Sequence, residues 1–178
     1  MIWVAFFSQT GSEIVELSKS IKRKPDLLVT NNFEDKIKFH PGIRELGVTI
    51  MSAKHDMIMN YFRNQVVYNV PQTLISLHGY LRILPADICE RYEVYNGHPG
   101  AIDLFPELKG KDPQVKAFEL GHKTVGCVIH EVTAGVDEGK ILRSQAFVSK
   151  EELDIDKIFL ILSNISTEMW VKFIKYYL

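Results

Sequence analysis

Apolar residues fall in short blocks along this chain, and the blocks alternate between two spacings. Ile2 to Phe7 is an unbroken run of β-favouring residues that stops at Ser8-Gln9-Thr10-Gly11-Ser12, as a buried strand does when it enters a turn. From Ser12 to Ile21, the positions Ile14, Val15, Leu17 and Ile21 follow helical spacing, with Ser12 as the expected N-cap. Pro25 ends that helix, and Leu27 to Thr30 reads as the next strand. Asn31 to Leu46 is polar and mixed, with a turn at His40-Pro41-Gly42. Gly47 to Met51 is a third strand, and Met57 to Phe62 a short helix. Leu74 to Leu77, bounded by Pro71 and Gly79, has the length of a central strand. Ala86 to Arg91 then forms a helical turn or two, and Glu93 to Asn96 a strand end. Asp112-Pro113 opens a helix through Leu120 with Gly121 beyond its end. Val125 to Val132 and Ile141 to Val148 read as strands, and Glu151 to Leu178 as a helical section. Strands alternating with helices predict an α/β fold, Rossmann-like, with a mostly parallel central sheet flanked by helices.

Composition narrows the function classes. The chain has 178 residues, 46% hydrophobic and 24% charged, with a formal net charge of -1. That is enough for one domain with a real core, so residues 1–178 are expected to form a single catalytic domain. No apolar run approaches the ~20 residues needed to cross a bilayer, and the N-terminus lacks the basic region of a signal peptide. Near-neutral charge argues against nucleic acid as a partner. Two cysteines, Cys89 and Cys127, make no disulfide framework, so a reduced, cytoplasmic setting is expected. No membrane partner is expected, and the chain is read as a monomer or homodimer acting on a small molecule.

In a parallel α/β sheet, ligands bind beyond the carboxyl ends of the strands. Four loops are selected: Gln9 to Glu13, Gly79 to Leu84, Asn96 to Gly100, and Ala134 to Gly139. In Asn96-Gly97-His98-Pro99-Gly100, an amide and an imidazolium stand together where both can donate to one developing oxyanion. The plainer alternative is a turn capped by Asn and His. Asp137 is placed to hold His98 protonated or to relay a proton, or else it belongs to a hairpin turn. His130 sits on a strand and faces either the site or the core. The strand exit from His78 to Leu84 presents backbone groups that can bracket a flat heterocycle. The histidines at 78, 98 and 130 with Cys127 show no metal-binding spacing, so no metal is expected. Cys127 lies within an apolar strand, a poor place for a nucleophile. Gly11-Ser12 makes a phosphate-sized turn at a helix N-terminus, but Glu13 follows it.

The order of these segments resembles the folate-dependent formyltransferases, most closely the glycinamide ribonucleotide transformylase branch. The anchors are the opening strand with Gly11-Ser12, Gly79-Tyr80-Leu81-Arg82-Ile83-Leu84, Asn96-Gly97-His98-Pro99, and Gly126 to Thr133 continuing to Val136-Asp137-Glu138-Gly139. The resemblance runs from Trp3 to about Val148. It implies a catalytic set of Asn96, His98 and Asp137, and 10-formyltetrahydrofolate as formyl donor. It also implies a pterin pocket built from Tyr80, Leu81, Arg82, Ile83 and Leu84, closed by Val132, Thr133, Ala134 and Gly135. Gly11, Ser12, Glu13 and His130 would meet the acceptor. The implied chemistry is attack of a neutral primary amine on the formyl carbon. Asn96 and protonated His98 would stabilise the oxyanion, while Asp137 keeps His98 charged and helps move the amine proton to N10.

The departures are specific. The family turn normally reads Gly-Ser-Asn and holds a substrate phosphate, whereas Glu13 places a carboxylate there. After His98 the chain reads Pro99-Gly100-Ala101-Ile102-Asp103 where relatives often have Pro-Ser-Leu-Leu-Pro. Relatives acting on methionyl-tRNA or sugar nucleotides carry extra C-terminal structure, and formyltetrahydrofolate hydrolases an extra N-terminal domain. The expected acceptor is therefore a small amine, glycinamide ribonucleotide or a related nucleotide or sugar amine. A hydrolase and a non-catalytic folate- or nucleotide-binding module are the alternatives.

Overall fold

In the computed structural model, residues 1–34, 37–64 and 72–178 are described; Pro71, read above as the stop before a strand, lies outside them. Seven strands form one sheet: β1 (Ile2–Phe7), β2 (Leu27–Thr30), β3 (Ile50–Ser52), β4 (Thr73–Leu77), β5 (Glu93–His98), β6 (Thr124–Glu131) and β7 (Ile141–Val148). Their spatial order is β3-β2-β1-β4-β5-β6-β7. The first five are parallel, whereas β6 runs antiparallel to β5 and β7 antiparallel to β6. The α/β fold and the mostly parallel sheet are thus as expected. The order reverses between β1 and β4, so the turns that leave these two neighbours diverge and open a crevice.

Alternation along the strands distributes side chains between two cores. Trp3, Ala5 and Phe7 face one side with α1 (Ser12–Ile21) and α6 (Ile155–Tyr177). Val4 and Phe6 face the other with α3 (His55–Asn64) and α4 (Ala86–Arg91). The C-terminal section is one 23-residue helix, α6, and the Asp154 carboxylate accepts from the Lys157 backbone N–H to start it. Ile158, Leu162, Ile165, Met169, Trp170, Phe173 and Ile174 are buried at the three- and four-residue spacing of a helix face. At about 1.5–3 kcal/mol for each buried side chain, this face contributes on the order of 10 kcal/mol or more before entropy is counted. That matches the whole net stability of a typical domain, so α6 is integral to the fold.

Three local expectations are corrected. Gly11, not Ser12, is the N-cap of α1: it takes a left-handed φ of 72°, and Ser12 is the first helical residue. Within the polar stretch from 31 to 46 lies a short helix, α2 (Pro41–Glu45), because the His40 ring nitrogen accepts from the Gly42 N–H and Pro41 suits the first helical position. The third strand begins at Ile50 rather than Gly47, whose φ of 66° is incompatible with extended backbone. The remaining helix, α5 (Pro113–Glu119), follows a 3-10 turn at Pro106–Leu108.

Candidate active site

The reversal of chain direction at β6 assembles a polar cluster. In the β5–β6 ladder, Asn96 is registered against His130 and His98 against Val128. Asn96 and His98, two residues apart, share one face of β5. Asn96 Nδ2 lies 3.1 Å from His130 Nε2, while His130 Nδ1 is 2.7 Å from the Glu131 carbonyl and donates to it. His130 Nε2 thus faces both the Asn96 amide and the Asp137 carboxylate. One N–H of that amide points to His130 and the second has no partner among the described residues, on a residue only partly buried.

Asp137 closes the cluster from the loop after β6. Its Oδ2 accepts from the Gly110 N–H at 2.8 Å and lies 3.2 Å from His98 Nδ1, and its Oδ1 lies 3.3 Å from His130 Nε2. This is not the carboxyl-end loop that the sequence suggests. Because β6 is antiparallel, it exits beside the amino-terminal half of β5, where the Val132 N–H donates to the Val94 carbonyl at 2.9 Å. The loop then doubles back, and Asp137 itself takes a left-handed φ of 50° to deliver its carboxylate.

His98 is buried with both ring nitrogens facing acceptors, since Nε2 lies 2.9 Å from the Leu108 carbonyl and Nδ1 faces Asp137. Burial pushes the imidazole below its ordinary value; Asp137 and the Leu108 carbonyl oppose it without prevailing. Burial therefore works against the protonated His98 that the resemblance implies, although acceptors on both ring nitrogens suit it. With Nε2–H donated to Leu108, a ring without a second proton turns the Nδ1 lone pair toward a carboxylate. That pair is one proton short of a hydrogen bond, so it is built to receive a proton. Burial works against ionisation of Asp137, yet the His130 ring, the neighbouring His98 ring and the Gly110 N–H outweigh it, holding its carboxyl below the usual range.

Two cavities flank this strand. One of about 530 Å³ is lined by Ala86, Cys89 and Tyr92 with Val94 and Tyr95 of β5, and by Val132, Thr133 and Ala134. The segment from Tyr80 to Leu84 is absent from that lining. Tyr80 and Leu84 are buried in the α3–α4 core, Tyr80 hydrogen-bonded to His55, while Leu81, Arg82 and Ile83 are exposed beside it. The second cavity, about 220 Å³, sits at the β1–β4 crevice and includes Gly11, Ser12, Glu13, His78, Gly97 and Pro99. Its neighbourhood holds a chain of polar groups that sequence reasoning missed. Trp3 Nε1–H donates to Ser76 Oγ at 2.8 Å, Ser76 Oγ meets His78 Nε2 at 2.9 Å, and His78 Nδ1 meets Glu13 Oε2 at 2.7 Å. Ser166 Oγ donates to the other Glu13 oxygen from α6. Ser76 in β4 and His78 just past its end, two residues apart, were the available signal for a shared polar face.

His130, left open between site and core, thus joins Asn96 and Asp137, whereas Gly11, Ser12 and Glu13 stand at a separate cavity. Among the described residues, no group of three or more His, Cys, Asp or Glu is arranged to hold a metal ion, and no helix is long and apolar enough to cross a membrane.

Comparison with known proteins decides the family. The Formyl transferase family model matches residues 59–159, more than half of the chain and the whole stretch carrying Asn96, His98, His130 and Asp137. The chain belongs to the formyl transferase family. It is 28% identical over 131 residues to the trifunctional purine biosynthetic protein adenosine-3 of Drosophila melanogaster, a match covering 66% of this chain and 10% of that protein. It is 32% identical over 96 residues to formyltetrahydrofolate deformylase 2, mitochondrial, of Arabidopsis thaliana, covering 47% of this chain and 28% of that one. The chain therefore spans only a small part of these relatives. A solved structure of phosphoribosylglycinamide formyltransferase from Streptococcus pneumoniae superposes with a TM-score of 0.81 at 18% identity, covering 98% of this chain and 97% of that one. At that identity the superposition establishes the formyltransferase fold.

Proposed function

We propose that this protein transfers a formyl group from 10-formyltetrahydrofolate to the primary amine of a small acceptor, acting as a single domain in the cytoplasm. The observation that carries the reading is the registry of Asn96 with His130 and the closure of Asp137 onto His98. Together they set a free amide N–H beside a proton-accepting pair. When the amine attacks the formyl carbon, the carbonyl oxygen becomes an oxyanion. The second N–H of Asn96 is the donor available to it, since both nitrogens of His98 are engaged. The amine, now cationic, must lose a proton, and the Asp137–His98 pair receives it between Oδ2 and Nδ1. Protonated, the pair becomes the acid that returns the proton to N10 as the carbon–nitrogen bond of the donor breaks.

The larger cavity supports the donor side of this reading. It combines Val132, Thr133 and Ala134 with Val94, on the β5 face that carries Asn96, and with the glutamates at 90, 93 and 131 at its rim. A flat ring system bracketed by strand edges and apolar side chains suits such a space. The test is incubation with 10-formyltetrahydrofolate and a panel of primary amines, glycinamide ribonucleotide included, following donor absorbance and the mass of any formyl adduct. A formylated amine is the expected product. Similarity to a formyltetrahydrofolate deformylase gives a second reading, in which water replaces the amine; donor consumption at equal rate without any acceptor would establish that one instead.

A further inference from the structure

The crevice between β1 and β4 has a wall chemistry that restricts what enters it. Gln9, Thr10, Gln114 and Ser163 offer it neutral amides and hydroxyls, and Glu13 is the only Asp, Glu, Lys or Arg in its lining among the described residues. The Glu13 side chain is one-quarter exposed and held in place, with Oε2 on the buried His78 ring and Oε1 on Ser166. As the second residue of α1, it supplies the negative charge that a helix N-terminus favours, so the turn's attraction for an external anion is already met. Behind the lining, the indole N–H of Trp170 is buried without a partner. The ring packs 4.7 Å from His78 and against Gly97. Gly97 and Pro99, on either side of His98, connect this crevice to the strand that carries the reacting groups.

We infer that the crevice receives the far end of the amine acceptor, and that this end is hydroxylated and carries no phosphate or carboxylate: the acceptor is an unphosphorylated polyhydroxy amine. A phosphate placed here would meet a fixed carboxylate and, among the described residues of the lining, no lysine or arginine, which costs affinity, whereas sugar hydroxyls find donors and acceptors on Gln9, Thr10, Gln114 and Ser163 and the C–H face of a sugar meets Phe159 and Leu162. The inference rests on the formyl-transfer reading for its amine, but the crevice can be probed without turnover.

The test uses the full chain, with 2-amino-2-deoxyglucose, its 6-phosphate and inorganic phosphate as probes. In amide NMR titrations, the unphosphorylated amino sugar is expected to shift the resonances of Thr10 to Glu13, and inorganic phosphate is expected not to. Equal or stronger response to inorganic phosphate, or no response to any probe, overturns the inference. In turnover with 10-formyltetrahydrofolate, kcat/KM for the unphosphorylated amine is expected to exceed that for its 6-phosphate at least tenfold. Glu13→Gln keeps both hydrogen-bond positions and removes the charge, so it should narrow that ratio about tenfold. A 6-phosphate preferred by the unmodified chain overturns the inference while leaving formyl transfer intact. Absence of formylation with every amine overturns the transfer reading, and the NMR titration still decides the chemistry of the crevice.

Discussion

At the scale of single residues, Asp137 carries the most connections, touching His98, His130 and the Gly110 N–H with two oxygens. Asp137→Asn keeps the shape but exchanges one acceptor for a donor and removes the charge. We expect kcat to fall roughly 10²–10³-fold, as for loss of an oxyanion-hole group, with the thermal transition retained. Near-normal turnover would exclude the proton-accepting pair. The direction of the His98 shift gives a second check. A buried imidazole held below its ordinary value of 6.5 binds fewer protons folded than unfolded, so its contribution to stability is present above pH 6.5 and lost as pH falls through the folded value. NMR titration of the His98 ring should give a midpoint below 6.5. Asp137→Asn should lower it further, because the carboxylate is what opposes burial. A midpoint above 6.5 would restore an imidazolium in the resting site. Asn96, His98 and Asp137 were legible as residue types in ordered motifs. The protonation of His98 was not, because it depends on how deeply the ring is buried and on Leu108, ten residues away.

At the scale of elements, the strands and helices with clean periodicity were legible, and the exceptions have local causes. The start of α1 followed from a backbone angle at Gly11, and α2 from a ring nitrogen of His40 acting as a cap; neither appears in a hydrophobic pattern. Pairing direction was the larger omission. Val125 to Val132 reads as a strand whichever way it runs, yet only the antiparallel choice puts His130 opposite Asn96. Element contact also explains the glycine between Asn96 and His98. A Cβ on Gly97 would stand 2.5 Å from Trp170 Nε1, so β5 and α6 approach closely here. Gly97→Ala should therefore displace Trp170, at about 1–3 kcal/mol, and lower the melting temperature by roughly 2–10 °C in circular dichroism. An unchanged melt would mean that the helix and strand separate freely.

At the scale of the molecule, α6 joins the two ends of the chain: it packs on β6, β7, α1 and α5, and its Ser166 reaches Glu13. Removing residues 155–178 should abolish the cooperative thermal transition, because the buried face it supplies is comparable to the net stability of the domain. A truncated chain that still melts sharply would show the sheet to be self-sufficient. The antiparallel placement of β6 also sets an order of events during synthesis. Asn96 and His98 emerge first, and Asp137 follows about forty residues later, a lag of roughly 2–8 s at ordinary translation rates. For most of that interval, until β6 (Thr124–Glu131) has emerged, β5 is an open sheet edge, its outward N–H and C=O groups unpaired and available to any neighbouring strand. The strand that will hold the reacting groups is thus also the nascent chain's most exposed point for mispairing, until β6 arrives to close it.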